Sequence, residues 1–138
     1  DVCIAGGGKV IGVIPNFMVD RRWCHNSLSE VIITENIHER KQKMAQMADA
    51  FVALPGGCGT FEELLEVITW KQLGLHTKPI IILNTKQYYN PLIEMLNKAV
   101  EEKFLKQSHS QLWTVASTPE EVLLIVDEIP ETVAEQKY

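Results

Sequence analysis

Short apolar runs and amphipathic stretches alternate along the whole chain. The runs Lys9–Ile14, Val31–Thr34, Ala50–Leu54, Pro79–Asn84 and Leu112–Ala116 read as strands. Most are continuously apolar instead of alternating, which predicts parallel strands covered on both faces. Residues 37–49 carry a helical pattern, with Met44, Met47 and Ala48 at core spacing behind a charged start of Glu39, Arg40, Lys41 and Lys43. Thr60–Leu73 places Leu64, Leu65, Val67, Ile68 and Leu73 on one stripe and is followed by Gly74 as the residue that leaves the helix. Asn90-Pro91 reads as an N-cap with proline at the first helical position, opening residues 91–103. Thr118-Pro119-Glu120-Glu121 repeats that start and adds a capping-box glutamate before residues 122–128. Strands alternating with helices predict an α/β layered fold. No repeat, low-complexity stretch or linker interrupts the pattern, so residues 1–138 are expected to form a single domain.

Composition narrows the function without naming it. A formal charge of −5 leaves no basic footprint for a polyanion, so nucleic acid is not an expected partner. A small phosphorylated ligand needs only a local cluster of donors and stays open. Cys3, Cys24 and Cys58 form an odd set without CxxC spacing, which predicts neither a disulfide framework nor a zinc site and points to a reduced, cytoplasmic setting. The four histidines show no paired spacing, and no metal is expected. No apolar run approaches the ~18 residues needed to span a bilayer, so no membrane association is expected. The start, Asp-Val-Cys-Ile-Ala-Gly-Gly-Gly, has no initiator Met and reads as the end of a helix, so the chain is expected to be incomplete at its N-terminus.

The most informative segment is Ala-Phe-Val-Ala-Leu-Pro-Gly-Gly-Cys-Gly-Thr-Phe-Glu-Glu, residues 50–63. A strand ends at Leu54, a glycine turn follows, and a helix is expected from Thr60. Gly56, Gly57 and Gly59 can adopt positive φ and let the backbone approach a ligand closely. The helix start behind them offers unpaired N–H groups and a positive dipole end, a cradle for phosphate at the carboxyl edge of a parallel strand. A tight turn that happens to use glycine is the plainer reading, and the glycine density favours the anion site. It is not a P-loop, since no Gly-Lys-Ser/Thr follows, and Gly6-Gly7-Gly8 precedes a strand and reads as a helix exit. Thr60-x-x-Glu63 also spells a capping box, so spacing alone leaves Glu63 open as cap or catalyst. Glu62 and Glu66 read as solvated surface. Cys58 at a helix start invites a nucleophile reading, but no dedicated histidine partner accompanies it. Trp23, Trp70 and Trp113 are compatible with core or rim.

Pro55-Gly56-Gly57-Cys58-Gly59-Thr60-Phe61-Glu62-Glu63 resembles the PGGxGTxxE signature of the Lonely-guy family, and Ile37-His38-Glu39-Arg40-Lys41-Gln42-Lys43-Met44 resembles its hydrophobic-His-x-Arg-Lys segment. Lys9–Pro15 and Glu63–Trp70 fit the same context, and the likeness runs from about Ala5 to about Glu128. The resemblance implies a Rossmann-like three-layer α/β sandwich with a mostly parallel sheet, working as a homodimer with active sites near the subunit interface. It implies hydrolysis of the N-glycosidic bond of a nucleoside 5′-monophosphate (a cytokinin riboside monophosphate or AMP) to free base and ribose 5-phosphate, without a cofactor. Carried over by position, Arg40 and Glu63 are the catalytic pair. Gly56, Gly57, Gly59 and Thr60 hold the phosphate, and Lys41 is a further contact to ligand or phosphate. The first strand–helix–strand unit of the family, with its own glycine-rich segment, has no counterpart here.

Two rivals are kept. One is a non-catalytic nucleotide binder or molybdenum-cofactor carrier of the same architecture. The other is a lysine decarboxylase, whose pyridoxal phosphate needs a Schiff-base lysine in a supporting pocket. Lys78 and Lys86 read as ordinary loop or strand-edge residues, which discounts it.

Overall fold

The computed structural model describes residues 1–128. The chain divides into two compact units, Asp1–Ala48 and the residues from Asp49 onward. Both are built from parallel strands and helices, the α/β, Rossmann-like architecture expected.

In the first unit, the short helix α1 (Val2–Ala5) leaves through the glycine triplet. Gly7 stands at φ 83°, its N–H bonds the Ile4 carbonyl, and the Gly8 N–H bonds the Cys3 carbonyl. That paired closure is the Schellman exit the glycines predicted. β1 (Ile11–Pro15) pairs in parallel with β2 (Glu30–Thr34), with the short helix α2 (Asn16–Asp20) following β1. Helix α3 (Ile37–Met47) packs on both strands. Its N-cap is Asn36, whose side chain accepts from the Glu39 N–H at 2.9 Å, while Glu39 reaches back to the Glu35 N–H at 2.7 Å. Met44 and Met47, expected in the core, are 38% and 40% exposed. Periodicity put them on a stripe, but within this unit two strands do not cover its full width.

In the second unit, β3 (Phe51–Ala53), β4 (Ile80–Leu83) and β5 (Thr114–Ala116) form a parallel sheet in the order β3-β4-β5. Central β4 is buried along its whole length, and its alternating side chains feed two layers. Ile80 and Ile82 pack with Leu64 and Ile68 of α4 (Cys58–Gln72), Leu96 of α5 (Asn90–Glu101), Tyr89 and Trp113. Ile81 and Leu83 pack with Ala116 and with Val122 of α6 (Pro119–Asp127). Helices therefore cover both faces of this sheet. The edge strands depart from the two-sided burial expected: Val52 of β3 is 41% exposed, as Val31 and Ile33 of β2 are at 42% and 54%. On the α4 stripe, Leu64 and Ile68 are core, whereas Leu65 and Leu73 are exposed. Of the tryptophans, Trp113 is core, Trp70 half-buried and Trp23 exposed.

Local punctuation was mostly legible. Gly74 at φ 74° ends α4, with the Gly74 N–H on Lys71 and the Leu75 N–H on Trp70. Thr118 caps α6 by accepting from the Glu121 N–H, and Glu121 accepts from the Ser117 N–H. At α5 the helix opens one residue early: Tyr89 is the N-cap and Asn90 is already helical. Asn90 instead takes a side-chain bond from Asn84 at 2.8 Å.

Between α4 and β4 the ring of His76 is fixed in one tautomer. Its Nδ1 accepts from the Lys78 N–H at 3.2 Å, so Nε2 carries the proton that meets the Val67 carbonyl at 2.9 Å. Burial, then the Lys71 and Lys78 charges, hold its pKa below the ordinary 6.5, against the Val67 bond that raises it. The folded state thus prefers the neutral ring. That contribution to stability is present above pH 6.5 and is lost as pH falls through the lower folded-state value. An NMR titration of the His76 imidazole is expected to give a midpoint below 6.5; a midpoint at or above it would overturn this account.

Candidate active site

The glycine loop joins the carboxyl end of β3 to α4. The helix starts two residues before the expected Thr60: Gly57 is the N-cap and Cys58 the first helical residue. Thr60 is therefore the third residue of the helix and cannot cap it, and no side chain caps this end. Glu63 lies one turn further in, half-buried, so the capping-box reading of Thr60-x-x-Glu63 fails. The Phe61 N–H makes the first bond, to the Gly57 carbonyl at 3.0 Å. The N–H groups from Gly57 to Thr60 consequently have no intrahelical acceptor, and the dipole is positive there.

The glycines serve space, not handedness. Positive φ among the glycines is confined to Gly7 and Gly74, so Gly56, Gly57 and Gly59 do not use the left-handed freedom open to them. A Cβ on Gly56 would run into the Thr60 side chain, whereas at Gly57 and Gly59 it would meet nothing within 4 Å. Gly56 is thus required for Thr60 to fold back onto the loop, and the other two leave the backbone bare. Gly56→Ala is expected to cost about 1–3 kcal/mol through that overlap, and Gly57→Ala about 1 kcal/mol or less as an N-cap change. Equal losses in urea unfolding would sink the steric argument.

Two tyrosines that the sequence did not single out hold this loop. Tyr88 donates to the Gly56 carbonyl and Tyr89 to the Leu54 carbonyl, each at 2.6 Å. Tyr89 is 1% exposed, edge-on to both Phe61 and Tyr88. Burial, with Tyr88 beside it, pushes its phenol pKa up, which keeps it a donor. Both follow β4, where the turn Thr85–Gln87 carries Lys86 and Gln87 at φ 54° and 62°. Asn84 secures the turn by accepting from the Tyr89 N–H at 2.7 Å.

Arg40 and Lys41 stand in the first unit, in the opening turns of α3, just beyond the carboxyl end of β2. Arg40 is half-buried, and its Nε donates to the Val13 carbonyl at 3.0 Å, which fixes the plane of the guanidinium. Lys41 is 7% exposed. A buried ammonium is sustained only by partners, so Lys41 has a structural task in addition to any ligand contact. Of the surface carboxylates expected, Glu62 is exposed but Glu66 is half-buried. Cys58 is exposed. The rings of His25, His76 and His109 are engaged by nearby backbone N–H groups. Among the described residues no cluster of three metal-ligating side chains occurs, and no helix is long and apolar enough to cross a membrane.

A family model described as "Possible lysine decarboxylase" matches residues 1–126. Relatives include two rice proteins (Oryza sativa subsp. japonica), each named probable cytokinin riboside 5′-monophosphate phosphoribohydrolase. LOGL2 is 48% identical over 123 residues, which cover 89% of this chain and 50% of the relative. LOGL6 is 49% identical over 118 residues, covering 86% and 47%. The cytokinin riboside 5′-monophosphate phosphoribohydrolase LOG2 of Arabidopsis thaliana is 45% identical over 123 residues, covering 89% and 58%. The chain belongs to the Lonely-guy family. It spans about half the length of the rice relatives. Both segments that carried the family resemblance, residues 37–44 and 55–63, fall within the matched region. Each occupies or precedes the start of a helix that follows a parallel strand.

Proposed function

We propose that the protein hydrolyses the N-glycosidic bond of nucleoside 5′-monophosphates, giving free base and ribose 5-phosphate. The observation that carries this reading is the β3–α4 junction. A bare, tyrosine-held glycine loop leads into an uncapped helix start, with a half-buried carboxylate one turn beyond. The family's phosphoribohydrolase relatives favour the same chemistry.

In this reading, Gly56, Gly57, Gly59 and Thr60 bind the 5′-phosphate through N–H groups at the start of α4. The sugar–base bond then breaks through a positively charged, oxocarbenium-like ribose. Glu63 stabilises that charge and takes the proton of the attacking water, whose oxygen bonds to C1′ as the C1′–N bond breaks. Arg40, its plane set by the bond to β1, anchors the nucleotide and offsets negative charge on phosphate or departing base. Lys41 adds a further contact. Both segments lie at carboxyl ends of parallel strands, where open α/β sheets bind ligands. The reading joins the chain into one Rossmann-like nucleotide-binding domain. It makes the protein a cytoplasmic homodimer with active sites near the interface. AMP and cytokinin riboside monophosphates are the substrates proposed. A decarboxylase finds little support: Lys78 lies 6.0 Å from the Phe51 ring centroid and Lys86 sits exposed in a turn.

The test is release of free base from AMP and from isopentenyladenosine monophosphate by the intact protein, with adenosine as control. Release from the monophosphates alone is expected. Nucleotide binding without release would replace the hydrolase with a carrier or sensor.

A further inference from the structure

We infer that Tyr88 is a positioning residue for phosphate recognition, setting the direction in which the glycine loop presents its first N–H group. The inference rests on the proposed phosphate role of the loop. A peptide unit is planar and trans, so its C=O and the following N–H point in opposite directions. The Tyr88 hydroxyl holds the Gly56 carbonyl at 2.6 Å. It therefore holds the Gly57 N–H facing away from the tyrosine ring. Gly57 is the N-cap of α4, and that N–H heads the row of donors without an intrahelical acceptor. The Tyr89 bond lies two peptide units earlier, on Leu54, whose carbonyl belongs to the peptide preceding Pro55. Proline has no N–H, so this second bond fixes the strand exit and presents no donor. The two tyrosines thus divide the work: Tyr89, buried, is structural, while Tyr88, 48% exposed, aims the donor.

The Tyr88 side chain keeps its place by edge-to-face contact with Tyr89 at 5.1 Å, an apolar contact that phenylalanine retains. The turn that delivers it includes two non-glycine residues in the left-handed region, Lys86 and Gln87. Such backbone persists only where surrounding contacts hold it, here the Asn84 bond to the Tyr89 N–H. Without the hydroxyl, the Gly56–Gly57 peptide is free to rotate between two glycine neighbours.

The experiment compares wild type and Tyr88→Phe in the intact protein. Inorganic phosphate binding is measured by calorimetry, and base release from AMP by steady-state kinetics. One neutral hydrogen bond's worth of orientation predicts phosphate binding weakened about three- to tenfold. The loss in turnover should fall on KM and not on kcat, because the phosphate is gripped alike in ground and transition states. Inhibition by adenosine, which lacks the phosphate, should be unchanged. Equal phosphate affinity in the two proteins overturns the inference, even if the unfolding midpoint drops, since a purely structural tyrosine would do only that. The titration stands apart from turnover: if wild type releases no base, the hydrolase reading falls, while weaker phosphate binding by Tyr88→Phe still supports the inference.

Discussion

Glu63→Gln is expected to lower kcat for base release about 10²–10⁴-fold, the range associated with a positioned acid or base. Because α4 starts at Cys58, Glu63 is not its capping residue, and glutamine keeps the side chain's shape without its charge. Arg40→Ala should remove turnover to a similar degree but with a measurable structural cost. Its Nε bond to the Val13 carbonyl is charge-assisted, worth about 1.5–3 kcal/mol. Arg40→Lys keeps the charge but cannot reproduce both that bond and a planar fork, and it too should be impaired. Steady-state rates with denaturant curves on the same preparations separate the two effects. Near-normal rates in a folded Glu63→Gln or Arg40→Ala protein would remove that residue from the chemistry.

The largest stability loss is expected at β4. Ile81 and Ile82 are both 0% exposed, and they face opposite layers of the second unit. Truncating either to alanine should cost about 2–5 kcal/mol, from lost transfer free energy and the cavity left behind. Against a typical total of about 5–15 kcal/mol, that loss brings the protein close to unfolding. Leu73→Ala, at a 66% exposed position, should change stability by no more than about 0.5 kcal/mol. Urea midpoints for the three variants check the contrast. A loss below about 1 kcal/mol at Ile81 or Ile82 would mean that its layer is not packed as described.

Local chemistry was legible because its causes are local. The Schellman exits at Gly7 and Gly74 and the Thr118 cap depend on residues within a turn of one another. The parallel strands and the loop-to-helix junction at residues 50–63 could likewise be read from apolar runs and glycine. The core could be read only in part. A helical stripe says which side chains share a face, but only the facing layer decides which are covered. Leu64 and Ile68 meet the sheet, while Leu65, Leu73, Met44 and Met47 stay exposed.

The candidate site divides along the same line. Sequence singled out the glycine loop, Thr60, Glu63 and the Arg40-Lys41 pair as candidates, on residue type, spacing and the family resemblance. It left Glu63 between cap and catalyst, and only the start of α4 at Cys58 removed the cap. Tertiary structure alone brought Tyr88 and Tyr89 to carbonyls 32 and 35 residues away. Nothing in the local pattern around residues 84–90 announces those bonds. They exist because parallel pairing of β3 with β4 places both strand exits at one edge of the sheet, where the turn after β4 can reach the loop after β3.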